Sequence, residues 1–284
     1  MEHLTFDQPS EVHFLYTPLL QDVEVRYSRY SKAAFHKHTH LAHSIGVITR
    51  GETNFTLYSS GQEEKIPARA GEVVLINPAQ VHACNPLPGS DFAYYMLYIG
   101  AGFVERLNRP DENLVFSTPL LRDPWLHSEL LTHCKLLFQA ERQIRAAVLQ
   151  DLLANIFFLY AESNQPAENA DPDAGRLELA RQHLLNHLSE DTPLQTLAQI
   201  SGLSPYYFVR AFHQRYGLPP HTYKLQERIH LAMRQLKDGQ PLAQIALQAG
   251  FADQSHFTRK FKTLVGTTPG HYRQEILKSG GSAQ

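Results

Sequence analysis

Between Val23 and about Ile99 the apolar residues come in short runs, at Val23 to Tyr30, Ser44 to Thr49, Thr53 to Tyr58, Glu72 to Ile76 and Phe92 to Tyr98. Turn-forming residues separate them, at Gly51, Gly61, Pro67, Gly71, Pro78, Pro86, Pro88 and Gly89. Short strands at such spacing predict a small sandwich or barrel. After Pro124 the period changes: Leu126, Leu130 and Leu137, then Ile144, Val148, Leu152, Ile156 and Leu159, recur every three or four residues. That is the pattern of two amphipathic helices, most simply packed on the barrel. Leu149, Leu153 and Phe157 add apolar residues on other faces of the second helix, a surplus that suits a dimer interface. Residues 162–175 (ESNQPAENADPDAG) have almost nothing to bury and are predicted to be a linker. Beyond them the pattern is helical throughout.

The helical half contains a diverged copy of itself. Leu194, Leu197, Ala198, Gly202 and Leu203 lie 48 residues before Leu242, Ile245, Ala246, Gly250 and Phe251. After one inserted residue, Phe208, Arg210, Phe212, Gly217, Pro220 and Tyr223 pair with Phe257, Arg259, Phe261, Gly266, Pro269 and Tyr272. Each unit has the parts of a helix-turn-helix: a short apolar helix after Pro193 or Pro241, a glycine to end it, and Ser204 or Asp253 to cap the next helix. Phe208 and Phe212, or Phe257 and Phe261, sit at i and i+4 and point inward. The opposite face then presents Tyr206, Val209, Arg210 and His213 in the first unit, and Ser255, Thr258, Arg259 and Lys262 in the second. Arg can bond a guanine edge in bidentate fashion, Ser and Thr reach bases or phosphates, Val and Tyr suit a thymine methyl, and Lys neutralises phosphate. Between the units Pro220 to Lys237 predicts one helix of about 27 Å. Such a rod suits two recognition helices about one DNA turn apart.

Charge sharpens this division. The 284 residues carry a formal net charge of −2, which taken whole argues against a polyanion binder. Residues 1–175 hold 13 basic and 21 acidic residues, net −8, whereas residues 176–284 hold 13 and 7, net +6. An acidic half beside a basic half fits one DNA-binding domain and one domain with another task. Cys84 and Cys134 are the only cysteines, in no metal-type spacing, so a disulfide scaffold and a zinc finger are disfavoured. The first twenty residues lack a secretory pattern, and the longest apolar run is far short of the ~20 residues that span a bilayer. A cytoplasmic protein without membrane contact is expected.

Residues 194–273, including GLSPYYFVRAFHQRYGLPPHTY and IALQAGFADQSHFTRKFKTLVGTTPGHYR, resemble the DNA-binding domain of AraC/XylS-family transcriptional regulators. The resemblance implies bacterial transcription regulation, usually activation through RNA polymerase. It also implies base contacts by Tyr206, Val209 and Arg210 in the first unit and by Gln254, Ser255, Thr258 and Arg259 in the second.

In the acidic half His36, His38 and His40 alternate, so on a strand they share a face, with His43 and His82 as further candidates. Clustered imidazoles suggest a site for Zn, Fe or Ni. His38 to Gly51, with Gly71 to Asn85, resembles the two motifs of the cupin barrel found in AraC-type ligand-binding domains. Metal-holding cupins carry Glu where Ser44 and Ile45 stand here, and Pro78 to His82 is one residue short of the usual spacing. The expectation is therefore no metal and no cofactor, with His38, His40, His82 and Tyr95 as polar groups of a pocket for a small organic effector. No phosphate-binding glycine loop, nucleophile elbow or paired catalytic carboxylates are evident, so catalysis has little support.

The sequence thus predicts two domains: a cupin-like β-barrel with packed helices over residues 1–161, and an all-α double helix-turn-helix over residues 176–284. The function expected is a homodimeric, effector-responsive DNA-binding regulator that acts as an activator. A metal-dependent cupin enzyme fused to a DNA-binding domain, and a regulator whose barrel only dimerises, are the alternatives.

Overall fold

The computed structural model describes residues 11–16, 20, 22–30, 37–59, 62–87, 90–107, 114–138, 142–163 and 173–280. The amino-terminal half runs β1 (Glu11–Tyr16), β2 (Val23–Tyr30), β3 (His43–Arg50), β4 (Glu52–Ser59), β5 (Gln62–Arg69), β6 (Val73–Ile76), β7 (Val81–Pro86) and β8 (Phe92–Ile99). It continues with α1 (Ala101–Glu105), β9 (Leu114–Phe116), β10 (Leu120–Leu121), α2 (Pro124–Leu137), α3 (Arg142–Tyr160) and β11 (Ala161–Ser163). One antiparallel sheet has the order β1-β2-β8-β3-β6-β10, and a second, β5-β4-β7, faces it. Ile48, Phe55, Val74, Phe92, Tyr94 and Met96 fill the space between them.

The larger sheet is covered on both sides. Its other face, with Val25, Ile45, Val47, Leu75, Leu97 and Ile99, packs on α1, α2 and α3. This double burial explains why β3 carries a continuous apolar run instead of an alternating one. It also divides β8: Tyr94 and Met96 point into the barrel, whereas Tyr95 and Leu97 point toward the helices.

Six strands lie outside the sequence expectation: β1, β5, β7 and the short β9, β10 and β11. β5 is polar and carries Pro67, which its place at the edge of the sheet tolerates. β1 buries Val12 and Phe14 against the carboxy-terminal helices, a partner too distant to leave a local pattern. β7 lies within the stretch whose prolines suggested only turns. On α3 the expected faces are exchanged in part: Leu149, Leu153 and Phe157 are buried core, while Val148, Phe158 and Leu159 are exposed. Leu152 and Ile156 belong to both apolar stripes, so spacing alone did not separate them.

The carboxy-terminal half comprises α4 (Ala174–Asn186), α5 (Leu194–Ser201), α6 (Pro205–Tyr216), α7 (Pro220–Lys237), α8 (Leu242–Gln248), α9 (Gln254–Val265) and α10 (Pro269–Gly280). Of the expected linker, Glu162 and Ser163 belong to β11, Ala174 and Gly175 to α4, and 164–172 lie outside the described residues. Two cores form, one around Leu177, Leu197, Phe208 and Phe212, the other around Ile229, Ile245, Phe257, Phe261 and Tyr272. Among the described residues no helix is long and apolar enough to cross a membrane.

The two halves are joined through a broad contact. Glu24 Oε2 accepts hydrogen bonds from the Tyr272 hydroxyl at 2.8 Å and from Lys237 Nζ at 2.7 Å. Tyr16 N donates to Ser279 Oγ at 3.0 Å, and Phe14 packs edge-on against Tyr272. Val81 of β7 enters the first helical core.

Candidate nucleic-acid interface and sensor site

Each recognition helix is fixed by its start and its inward face. Ser204 Oγ accepts from Tyr207 N at the start of α6, and Asp253 Oδ1 accepts from His256 N at the start of α9. Gly202 (φ 62°) and Gly250 (φ 77°) supply the left-handed backbone of the two turns. Phe208, Phe212, Phe257 and Phe261 have no exposed surface, so the opposite faces are forced outward. Tyr206, Arg210 and His213 are exposed on α6, as are Gln254, Ser255 and Arg259 on α9. Val209, Thr258 and Lys262 are half-buried, and Val209 packs partly on the first core. These faces stay open although β1 rests on α10 and the Lys37–Thr39 segment is bonded to α7.

In the barrel His38, His40 and His82 come together, with one ring nitrogen of each within 4.8 Å of the others. They do not sit on one regular strand: His38 forms an isolated bridge with His82, and Thr39 and His40 follow in irregular backbone. His36 lies outside the described residues. His38 N donates to His82 O and His82 N to His38 O, each at 3.0 Å, while Ala79 N donates to His40 O at 2.7 Å. His82 Nδ1 donates to Gln80 O at 2.9 Å, which leaves the ring's lone pair on Nε2. Burial, then the neighbouring His82 and His38, holds His40 well below the usual imidazole range. Burial also pushes His82 down to about 4, against the opposing effect of the Gln80 carbonyl. Both rings are therefore neutral at pH 7.

Tyr95 is not brought to this cluster. It packs against Tyr27 and Phe138 on the helical side of the larger sheet, because β8 alternates. Tyr98, on the other face, lies with its ring centre 4.8 Å from that of His40. His43 is separate too, donating through Nε2 to Leu114 O at 2.8 Å between Phe116 and Phe157. Inside the barrel a cavity of about 10 Å³ is lined by Gly46, Thr53, Val74, Cys84, Met96 and their neighbours, room for about one water molecule.

Two residues that sequence reasoning missed join the sensor to the helical half. Gln226 Oε1 accepts from Thr39 N and Thr39 Oγ1, both at 2.9 Å, and Gln226 Nε2 donates to Lys37 O at 3.0 Å. His230 Nε2 donates to Thr39 O at 3.2 Å. Helical spacing places positions 226 and 230 one turn apart on α7, but it does not say what they face.

A ligand-binding barrel joined to paired helix-turn-helix units with open recognition faces defines a DNA-binding transcriptional regulator. Residues 20–185 match the AraC-like ligand binding domain, a match that runs into α4, and residues 197–275 match a helix-turn-helix domain. The chain belongs to the AraC family of transcriptional regulators. It is 26% identical over 227 residues to an uncharacterized HTH-type transcriptional regulator, YbfI, of Bacillus subtilis, covering 78% of this chain and 81% of the relative. It is 25% identical over 233 residues to the arabinose operon regulatory protein of Escherichia coli, covering 78% and 79%. The fold is similar to that of ToxT from Vibrio cholerae, with a TM-score of 0.55 at 16% identity over 90% of this chain and 99% of the other.

Proposed function

We propose that the protein is a cytoplasmic, homodimeric transcriptional activator that binds double-stranded DNA through α6 and α9, acts on RNA polymerase and responds to a small effector at the barrel. The observation that supports this reading is the exposure of Tyr206, Arg210 and His213, and of Gln254, Ser255 and Arg259, with the barrel in place. Thr258 and Val209 reach the same faces from half-buried positions, and Lys262 supplies phosphate contact. His38, His40 and His82, with Tyr98, are the polar groups that orient the effector. The exposed Val148, Phe158 and Leu159 of α3 serve the dimer contact. No chemical step belongs to this reading.

Footprinting and gel-shift assays on DNA upstream of neighbouring operons test it. Binding should be sequence-specific and weaken steeply with salt. Weak, sequence-indifferent binding would sink the proposal. Arg259→Ala should cost about 1–3 kcal/mol of DNA affinity and relax specificity at one base pair. Uniform weakening over all sequences would make Arg259 a phosphate contact instead.

A further inference from the structure

We infer that two carboxylates, Asp173 and Glu178, position the first recognition helix by holding the hydroxyls of Tyr207 and Tyr216 at its two ends. Reading of DNA by α6, but not by α9, then depends on the place where the linker passes into α4. This rests on the reading of α6 and α9 as the helices that enter DNA, and it gives the two unequal control.

The first support is the chemistry at Asp173. It stands just before α4, where an aspartate ordinarily accepts from the backbone of its own first turn, yet its carboxylate makes no such bond. Oδ2 accepts instead from the Tyr207 hydroxyl at 2.8 Å, across 34 residues, and Oδ1 lies 3.6 Å from the Arg176 guanidinium. With only 15% of the Asp173 side chain exposed, water competes weakly for that bond. Further along α4, Glu178 Oε2 accepts from the Tyr216 hydroxyl at 3.1 Å, while Arg181 fixes both Glu178 oxygens at 2.6 and 2.7 Å. Burial pushes the Tyr216 hydroxyl up to about 12, so it keeps the proton that it donates. Between the two bonds, Leu177, Ala180 and Leu184 of α4 share a core with Phe208 and Phe212.

An apolar face alone lets a helix roll or slide on its neighbour, whereas polar bonds at both ends set its rotation and its advance. Tyr207 adjoins the exposed Tyr206 and precedes Arg210 by three residues. A small roll of α6 therefore displaces the Arg210 guanidinium, and a bidentate bond to a base edge tolerates little displacement. The second unit is built differently. The duplication places His256 at the position of Tyr207 and Val265 at that of Tyr216. His256 packs its ring on Phe251, and Val265 is buried in the second core. Neither supplies a hydroxyl, so α9 lacks both bonds.

The test uses the full chain and the duplex that it selects from a random-sequence pool, with Arg210→Ala and Arg259→Ala marking the half-site that each helix covers. Tyr207→Phe, Tyr216→Phe and Asp173→Ala should each weaken binding to that duplex by about 3- to 10-fold. Tyr207→Phe combined with Asp173→Ala should weaken it no more than either alone. On a duplex with the α6 half-site scrambled, the variants should bind like the parent chain. Asp173→Asn, which removes the charge and keeps an acceptor, should rescue the loss. Additive losses would make Tyr207 a DNA contact in its own right, and tighter binding by both Asp173 variants would make Asp173 a repelling charge. Equal losses on both duplexes would make α4 a general prop, and each of these three results overturns the inference. Amide hydrogen exchange without DNA gives a second readout, with circular dichroism reporting that the variants are folded. Exchange in the first turn of α6 should quicken in Asp173→Ala and Tyr207→Phe and stay unchanged in α9; exchange like the parent's in α6 would overturn the inference whether or not a duplex is selected. Failure of the parent chain to select any duplex would overturn the regulator reading instead.

Discussion

At the scale of single residues, Gly250 shows how backbone conformation and packing combine. Its φ of 77° is left-handed, and a Cβ there would stand 2.6 Å from the Ser189 Cα and 2.8 Å from its carbonyl oxygen. Gly202 occupies the equivalent turn with φ 62° but faces open space. Gly202→Ala should therefore cost only the left-handed penalty, about 1 kcal/mol, while Gly250→Ala should cost at least about 2 kcal/mol more because backbone meets backbone. Denaturant unfolding of the two variants checks the difference; equal costs would mean that the contact with Ser189 yields freely. His43 makes a second prediction. Burial lowers its affinity for a proton, partly offset by the Leu114 carbonyl. The unfolded chain takes up that proton near pH 6.5 while the folded chain resists, so stability is full above about 6.5 and falls as pH drops below it. The slope for one such group is at most about 1.4 kcal/mol per pH unit. His43→Gln should flatten this limb of the pH–stability curve, and an unaltered limb would place its origin elsewhere.

At the scale of elements, what was legible depended on whether the partner lay nearby in the chain. α7 was legible from end to end, because Ile229, Ala232 and Leu236 keep the helical period and Asp238-Gly239 stops it. The recognition faces were legible for the same reason: two phenylalanines at i and i+4 determine what points away from them. β1 and β5 were not, since one is held by α10 and the other is a polar edge. The histidine cluster was half legible; His38 and His40 share a motif, but joining them to His82 and excluding Tyr95 requires the sheet register, in which Tyr95 pairs with Val47 and Tyr27 and faces the helices. On α3 the exposed residues Phe158 (78% exposed) and Leu159 (66%) are too apolar for an ordinary solvent face. Phe158→Asp should convert the proposed dimer to monomer by analytical ultracentrifugation at unchanged helix content. A variant that still sediments as a dimer would move the interface away from α3.

At the scale of the whole molecule, sensor and DNA-binding half share polar and apolar contacts. Lys237 is pulled two ways: burial disfavours its charge, but Glu24 at 2.7 Å more than compensates and holds its pKa up. Tyr272 is held well above the usual phenol range by burial and by the same carboxylate. Glu24→Gln should loosen this junction by about 1–3 kcal/mol. Amide hydrogen exchange should then quicken in β1 and α10 and stay unchanged in α6; equal exchange in parent and variant would show that Glu24 adds nothing to the junction. The junction also sets an order of events during synthesis. Tyr16 N bonds to Ser279 Oγ, 263 residues further along. At ~5–20 residues per second a ribosome needs roughly 13–53 s to make that interval, and β1 must wait through it with Phe14 unburied. The apolar face of β1 is thus among the last surfaces to be covered, and a ribosome stalled before α10 leaves behind a chain with Val12 and Phe14 open, a ready substrate for chaperones or for association with another such chain.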